Sequence, residues 1–158
     1  MRRKEKEITD VNKKLDILKK NKVCRLALSE NDRPYIVPLN YGYSFENGAL
    51  TLYFHGAKEG KKLDILRKNS LACFEIDSET GLIEREDPCE HSYAYQSIIG
   101  TGKITLLETP EEKSDALNRL TRHVTGSEKA HAFSEKALNG VAVFKMDVDE
   151  FTGKEEVR

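Results

Sequence analysis

The stretch LYFHGAKEGKKLDIL (52–66) predicts two different elements joined by a short loop. Its first half belongs to a predicted strand, Ala49–His55, and its second half to a short helix, Gly60–Lys68. Lys61 and Lys62 stand in the first turn of that helix, where the helix dipole disfavours a cation by a few tenths of a kcal/mol unless an anion is bound. The stretch therefore predicts either a phosphate site or exposed lysines that only keep the protein soluble.

The residues on either side of this stretch predict an antiparallel sheet. Asn31-Asp32 and Asn47-Gly48 are turn sequences, and Asn-Gly is favoured in type I′ hairpins because both of its residues tolerate positive φ. The acidic segment 78–90, which contains Gly81 and Pro88, predicts a loop. The predicted strands are Val23–Ser29, Arg33–Tyr43, Ala49–His55, Leu71–Asp77, His91–Leu107 and Val141–Val148.

Four segments predict helices around the sheet, the helix Gly60–Lys68 among them. Ile8–Lys20 has apolar residues three and four apart, and the sequence TPEE (109–112) is a capping box that starts another helix. A further short helix is expected over Ser127–Leu138. The segment KKLDILKKN (13–21) recurs as KKLDILRKN (61–69), which predicts two similar helices that cap the ends of one barrel.

The composition predicts one domain, residues 1–158, and excludes several classes of protein. With 26 basic and 27 acidic residues the net charge is −1, so no field of one sign attracts nucleic acid. The longest stretches without a charged residue, 34–45 and 91–102, are twelve residues each, whereas a membrane-spanning helix needs about 18 or more. No apolar signal-peptide core follows the basic N-terminus, so we expect a cytoplasmic protein.

The three cysteines predict neither a disulfide framework nor a metal site. Cys24, Cys73 and Cys89 are odd in number and lack CxxC spacing, so we expect free thiols. Cys89 and His91 are two residues apart, but no further ligands complete a zinc pattern. We therefore expect no metal.

Two further segments could contact a ligand, and each also has an ordinary structural interpretation. Pro38 lacks an N–H and so belongs at a strand edge or a bulge, where backbone groups around Pro38 and Asn40 would be free for a ligand. Gly100 and Gly102 lie on one face of a predicted strand, where they make room either for a flat group or for bending of the sheet.

Three segments carry a family resemblance when they are taken together. They are RPYIVPLNYGY (33–43), LYFHGAKEGKKLDIL (52–66) and YQSIIGTGKI (95–104), and the most specific element is H-x4-G-x-K, formed by His55, Gly60 and Lys62. In this order and spacing the segments resemble the flavin-binding split-barrel proteins related to pyridoxamine 5′-phosphate oxidase, and among these the nitroimidazole-resistance branch.

The resemblance implies a fold, an assembly and a cofactor. The fold is mainly β with flanking helices (α+β), built on a six-stranded antiparallel split β-barrel. The assembly is a homodimer that binds one FMN at each of two sites along the subunit interface. By the same resemblance, Lys61 and Lys62 would hold the FMN phosphate, with His55, Gly56 and Ala57 beside the cofactor. The other residues that would line the flavin ring, or reach it from the partner subunit, are Val37, Pro38, Leu39, Asn40, Tyr95, Ser97 and Ile98.

The function that the resemblance implies is an FMN-dependent oxidoreductase that reduces nitro- or quinone-like small molecules. FMN carries the electron chemistry, and His55 or water would supply a proton. A lone histidine at a strand end is more often structural, but His55 matches the active-site histidine of the nitroimidazole-resistance branch. The alternative is a non-catalytic flavin- or haem-binding module of the same fold. Pyridoxamine phosphate oxidases proper carry further basic residues in a C-terminal extension, so we expect no vitamin B6 oxidation from a sequence that stops at Arg158.

Overall fold

Eight strands form one antiparallel sheet in the computed structural model, which describes residues 3–157 except the side chain of Thr80. Four α-helices flank the sheet, and two 3₁₀ turns lie at Lys4–Lys6 and Pro88–Glu90. The helices are α1 (Val11–Lys20), α2 (Lys61–Lys68), α3 (Pro110–Thr125) and α4 (Glu135–Gly140). The strands are β1 (Glu7–Ile8), β2 (Val23–Glu30), β3 (Arg33–Asn40), β4 (Gly42–Glu46), β5 (Ala49–Gly56), β6 (Leu71–Ile83), β7 (Ser92–Leu106) and β8 (Ala142–Glu156).

The strand order is β3-β2-β6-β7-β8-β5-β4, with β1 paired to β8 as well. The prediction of an antiparallel sheet with flanking helices is confirmed. The prediction of six strands in a barrel is wrong, because the sheet has eight strands and no pairing within residues 3–157 joins β3 to β4. The strand predicted over 33–43 breaks at Tyr41, whose buried hydroxyl donates to the carbonyl of Leu18 at 2.7 Å. This break sends β3 and β4 to opposite ends of the sheet.

Two strands are longer than the sequence predicted. The acidic segment 78–90 is not all loop, because β6 continues to the buried Ile83. A shift of register between Glu79 and Gly81, where Gly81 has a φ of 132°, lets this strand continue past the irregularity. The last strand extends to Glu156 instead of Val148, because it pairs with β7 over this whole length.

The helix predictions are correct in number and wrong at two ends. Ile8 lies in β1, and α1 begins only after Asp10, whose side chain accepts a hydrogen bond from the N–H of Asn12 at 2.9 Å. The capping box of Thr109 and Glu112 is confirmed. The predicted helix 127–138 is wrong in its first half, because its N-cap is Ser134.

Alternate residues of the strands point into the main core, which contains the fully buried side chains of Leu26, Phe54, Phe74, Ile98 and Phe144. A smaller cluster lies beneath α3 and α4, between these helices and the β5–β8 side of the sheet. The opposite face of β3, β2, β6 and β7 carries no helix among the described residues and leaves large apolar side chains exposed.

Candidate cofactor site

The loop between β5 and α2 leaves the N-terminus of α2 without a side-chain cap. Gly60 is the N-cap residue and has a φ of 124°, a conformation that side chains rarely adopt. Its carbonyl accepts from the N–H groups of Leu63 and Asp64, at 2.9 and 3.2 Å. Gly60 offers no side-chain cap, so the N–H groups of Lys61 and Lys62 have no partner within the helix.

Lys62 folds back over the last residue of β5. A Cβ atom added to Gly56 would lie 2.9 Å from Nζ of Lys62 and 2.8 Å from its Cε, so the glycine makes room for this ammonium group. Lys62 is half-buried and makes no hydrogen bond or ion pair within residues 3–157. An unpaired, partly desolvated cation beside free N–H groups matches the donor set that binds phosphate.

Lys61 points to a different neighbour. Its Nζ lies 5.1 Å from the ring centroid of Tyr35, on β3. The two lysines therefore diverge from the start of α2, one toward β5 and the other toward β3. This geometry confirms the predicted strand-to-helix junction and brings Gly56 and Lys62 together, whereas Lys61 lies beside Tyr35.

The segment 37–40 lies at the edge of the sheet. Since β3 is the last strand of the sheet order, its outer edge has no strand partner within the described residues. The half-buried Val37 and Leu39 pack on the main core, whereas Pro38 and Asn40 are exposed. Asn40 donates to the carbonyl of Lys22 at 2.8 Å. The backbone edge of β3, more than its side chains, is thus available to a ligand with polar groups on its rim.

His55 lies close to the phosphate candidates in sequence and on the other face of β5. It pairs with Val143, and strand periodicity directs its side chain away from the face on which Gly56 meets Lys62. The imidazole is exposed and has no hydrogen bond within residues 3–157. Ala57 follows in the exposed loop. The histidine is therefore accessible, but no side chain of the described chain orients it.

The structure separates Tyr95, Ser97 and Ile98 from His55. Ser97 pairs with Lys154, which is eleven residues along β8 from the partner of His55, or about 36 Å along the strand. Ile98 is fully buried in the main core, which leaves only its backbone for a ligand. The ring of Tyr95 lies 5.5 Å from Nζ of Lys154. Within a single chain, the predicted residues of β7 thus lie far along β8 from the position of His55.

Two of the three thiols, Cys24 and Cys73, are poor nucleophiles. Burial raises the pKa of Cys24 to about 12, and burial, with a smaller effect of Glu75, raises the pKa of Cys73. His91 accepts a hydrogen bond from the N–H of Arg85 at 3.2 Å and does not join Cys89 in a cluster. No group of three or more potential metal ligands occurs in the described part of the chain. No helix of residues 3–157 is long and apolar enough to cross a membrane.

Sequence reasoning missed Arg33, the first residue of β3. It lines a hollow of about 360 Å³ together with Tyr35 and Lys61, at the tip of the β2–β3 hairpin. The signal was present, since Arg33 opens the segment RPYIVPLNYGY, but nothing local showed that Lys61 would be its neighbour.

A cavity of about 580 Å³ lies elsewhere, between α1, β4 and the end of α3. Lys22, which lines it, donates to the carbonyls of Lys19 and His123, at 2.8 and 2.7 Å. His123 Nε2 lies 2.8 Å from the carbonyl of Asn21 and donates to it. Lys22 therefore satisfies carbonyls at the ends of two helices, which explains its presence without a ligand.

The chain is similar to one known protein family and to several solved structures. The family model of pyridoxamine 5′-phosphate oxidase matches residues 10–155. No curated protein sequence matches the chain. A solved protein named for 5-nitroimidazole antibiotic resistance, from Bacteroides thetaiotaomicron, is 30% identical, with a TM-score of 0.79 over 94% of this chain and 86% of its own.

Two more distant structures share the fold alone. The FAD and haem binding protein from Mycobacterium smegmatis is 20% identical, with a TM-score of 0.85 over 97% of this chain and 74% of its own. The flavocytochrome Anf3 from Azotobacter vinelandii is 17% identical, with a TM-score of 0.82 over 100% of this chain and 72% of its own. The resemblance carried by the three sequence segments is confirmed, and the chain belongs to the pyridoxamine 5′-phosphate oxidase family.

Proposed function

We propose that this chain is an FMN-dependent oxidoreductase that reduces nitro- or quinone-like small molecules as a homodimer. The observation that carries the cofactor assignment is the half-buried, unpaired ammonium of Lys62 against Gly56. A phosphate at this point would accept from the lysine and from the free N–H groups of α2, and it would remove the electrostatic cost of two cations at a helix start. The structural neighbours named for flavin binding and for 5-nitroimidazole resistance support the same function.

The residues of the chain have three tasks in this proposal. Bound FMN supplies electron and hydride transfer. Lys61 and Lys62 hold its phosphate, and the free backbone edge of β3 meets the polar rim of its ring. His55, exposed and free of hydrogen bonds within the described chain, gives a proton to the reduced acceptor.

The proposed homodimer uses the sheet face that no described helix covers. Ile36, Leu71 and Ile99 lie on this face and are 62, 63 and 50% exposed, which is unusual for side chains of this size. A second copy would cover them and would bring Tyr95 and Ser97 of the partner subunit to a site that one chain leaves incomplete. Light scattering tests the assembly, and a monomeric mass with flavin still bound would overturn it.

The activity is tested with purified protein, FMN, a dihydronicotinamide donor and a nitroaromatic acceptor. We expect steady consumption of the donor that depends on the acceptor. His55→Gln should leave flavin affinity and melting temperature unchanged and should slow acceptor reduction by roughly 10²–10⁴-fold, the usual contribution of a positioned general acid. An unaltered rate together with a lower melting temperature would make His55 structural.

A non-catalytic flavin- or haem-binding module is the second candidate, because a neighbour of the same fold is named for binding FAD and haem. Such a module would bind its cofactor without steady consumption of a donor. The visible absorption spectrum of the purified protein distinguishes bound flavin from bound haem, and haem alone would exclude the proposed oxidoreductase.

A further inference from the structure

The sheet face that no described helix covers carries three charged side chains among its exposed apolar residues. Arg25 lies on β2, and Glu75 and Asp77 lie on β6. The residues next to them in both strands are fully buried in the main core: Leu26, Phe74 and Ile76. Strand periodicity therefore directs the charged side chains to the uncovered face. Ile99, which is 50% exposed on this face, pairs directly with Glu75.

One guanidinium group serves both carboxylates of this sheet-face cluster. Nη1 of Arg25 lies 3.0 Å from Oε2 of Glu75 and also contacts Oδ1 of Asp77. No other cation pairs with either carboxylate within residues 3–157. One positive and two negative charges give the cluster a net charge of −1 when Glu75 and Asp77, its carboxylate pair, are both ionised.

A second cluster of the same composition, the α3 cluster, lies between α3 and β4. Arg119 pairs with Glu46 at 3.0 Å and with Asp115 at 2.8 Å. Its two carboxylate side chains are 68 and 61% exposed, whereas those of Glu75 and Asp77 are only 31 and 34% exposed. Water therefore stabilises the charge of the α3 cluster more fully than that of the sheet-face cluster.

The strands beside the carboxylate pair bring no further cation next to it. On β7 the residues paired with it, Ile99 and Ser97, are uncharged. Lys154 of β8 lies one strand further away, opposite Ser97. On β6 itself, Glu79 follows Asp77 on the same face and adds another negative charge. The described neighbours therefore leave the net negative charge of the cluster in place.

The environment of Glu75 already favours its protonated form. Burial raises the pKa of this carboxyl, and the neighbouring carboxyl of Asp77 raises it further, against the opposing effect of Arg25. Burial also raises the pKa values of the Cys24 and Cys73 thiols, which therefore stay protonated at neutral pH. In this part of the sheet it is the carboxylate pair that takes up a proton as the pH falls.

We propose that the carboxylate pair takes up a proton when a second copy of the chain covers this face, so that the homodimer assembles more tightly as the pH falls. This inference rests on the homodimer proposed above and names the group that controls its assembly. Covering the face removes water from a cluster of net charge −1 in each subunit, which is unfavourable unless the pair shares one proton. The guanidinium group of Arg25 stays charged throughout, so that one proton makes the cluster neutral.

The sign of the pH dependence follows from proton linkage. The dimer binds one more proton in each subunit than the separate chains do, so a lower pH favours the dimer by mass action. If covering the face raises the pKa of the pair by about one unit, the dissociation constant falls by about tenfold for each subunit, or about 100-fold for the dimer.

The experiment measures the dissociation constant of the homodimer from pH 8 to pH 5, by sedimentation of the fluorescently labelled full chain in a dilution series. We expect it to fall by about 10- to 100-fold over this range. Exchange of subunits between two differently labelled preparations extends the measurement to a dimer that dilution does not dissociate, and this exchange should be slower at pH 5 than at pH 8.

Two variants and a matched control identify the group that takes up the proton. Glu75→Gln is neutral at every pH, so it should remove the pH dependence and make the dimer at pH 8 as tight as the wild-type dimer at pH 5. Asp77→Asn should act in the same way. Glu46→Gln changes the α3 cluster and should leave the wild-type pH dependence intact. Equal melting temperatures establish that the variants are folded.

Each outcome decides the question. If dimer affinity and subunit exchange do not change with pH, or if the dimer weakens as the pH falls, the inference is wrong and the proposed homodimer stands. If both variants of the carboxylate pair keep the wild-type pH dependence, another group takes up the proton and the inference is also wrong. If the chain sediments as a monomer at every pH with flavin bound, the proposed homodimer and the inference both fall.

Discussion

Two helices with nearly the same sequence begin in opposite ways. The segments 13–21 and 61–69 differ only at Lys19 and Arg67. In α1 the paired lysines are the third and fourth residues, and both have structural partners: Lys13 pairs with Glu155, and Nζ of Lys14 lies 4.9 Å from the ring centroid of Phe151. In α2 the equivalent lysines are the first two residues, and neither forms an ion pair within residues 3–157.

The difference arises at the residues that precede the repeat. Asp10 caps α1 through a hydrogen bond to the N–H of Asn12 and places a carboxylate at the positive end of the helix. Gly60 starts α2 two residues later in the repeat and adds no side chain. The N-terminus of α1 is therefore capped by a side chain, whereas the N-terminus of α2 has free N–H donors and two lysines. The same helix sequence therefore has its lysines paired or leaves them unpaired, according to its cap and its neighbours.

The largest effect should be on FMN affinity, when Lys62 of α2 is replaced and its equivalent in α1, Lys14, serves as the control. We expect Lys62→Ala to weaken FMN by about 10- to 100-fold, because a hydrogen bond to a charged group contributes roughly 1.5–3 kcal/mol, and to weaken riboflavin much less. Isothermal titration with both ligands measures the difference. Lys14→Ala removes the equivalent residue of α1 and should leave FMN affinity unchanged. An equal loss in both variants would break the contrast between the two helices.

The next effect concerns the residue before the lysines of α2. Gly60→Ala should lower the free energy of unfolding by roughly 1–3 kcal/mol, because its φ of 124° strains any side chain. Denaturation in urea measures this loss. Asn12→Ala changes the equivalent position of α1, which is exposed and helical, and should alter stability by less than about 0.5 kcal/mol. Similar values for the two variants would show that the glycine is not required by the backbone.

A smaller effect is expected from removing the side-chain cap at the N-terminus of α1. Asp10→Ala removes the cap and should lower the free energy of unfolding by about 1 kcal/mol. FMN affinity should not change, because this helix end lies outside the proposed site. Urea denaturation and FMN titration of the same preparation separate the two readouts, and a loss of FMN affinity without a loss of stability would contradict the structural role of α1.

The smallest expected effect is a pH dependence of stability that arises at the carboxyl end of α1 and not at that of α2. The carbonyl of Asn21, after α1, accepts a hydrogen bond from the buried His123. Asn69, after α2, donates to the carbonyl of Ser29 at 3.2 Å and has no histidine partner within residues 3–157. Burial, with a smaller effect of Lys22, lowers the pKa of His123 below its ordinary value, against the opposing effect of its hydrogen bond to Asn21.

Because the folded pKa is the lower one, the unfolded chain takes up a proton first as the pH falls below about 6.5. The free energy of unfolding should therefore fall between about pH 6.5 and the folded pKa of His123, and this contribution should not fall further at lower pH. Thermal unfolding from pH 8 to pH 5 measures it, and His123→Gln should lose this part of the pH dependence. An identical pH dependence of unfolding in the variant would show that His123 does not contribute to it.

Local signals in the sequence were sufficient for most elements. Asn47 and Gly48 have φ values of 53° and 81° in a two-residue hairpin, as their type I′ preference predicts, and the turn at Asn31-Asp32 is likewise confirmed. The capping box also forms where its residues stand. The strand break at Tyr41 could not be predicted, because it depends on a hydrogen bond to Leu18, which is distant in sequence.

The candidate site likewise has features that the local sequence predicts and others that depend on the tertiary structure. The junction of Gly56, Lys61 and Lys62 was predictable, because all three residues belong to one strand–loop–helix segment. Arg33 could not be placed beside Lys61, and Tyr95 and Ser97 could not be separated from His55, because both facts depend on the order and register of strands. Register is fixed by the pairing of whole strands, which no local pattern contains.

By itself the sequence determined that residues 13–20 and 61–68 form amphipathic helices, in which Ile17 and Leu18 of one and the equivalent Ile65 and Leu66 of the other are buried. Spacing of apolar residues is a local property, so the two copies fold alike. Only the tertiary structure decided that Lys13 meets Glu155, 142 residues away, while Lys62 meets the bare backbone of Gly56 and, among residues 3–157, no carboxylate. The energy of a charged group depends on which distant groups surround it, and that environment exists only once the sheet has formed.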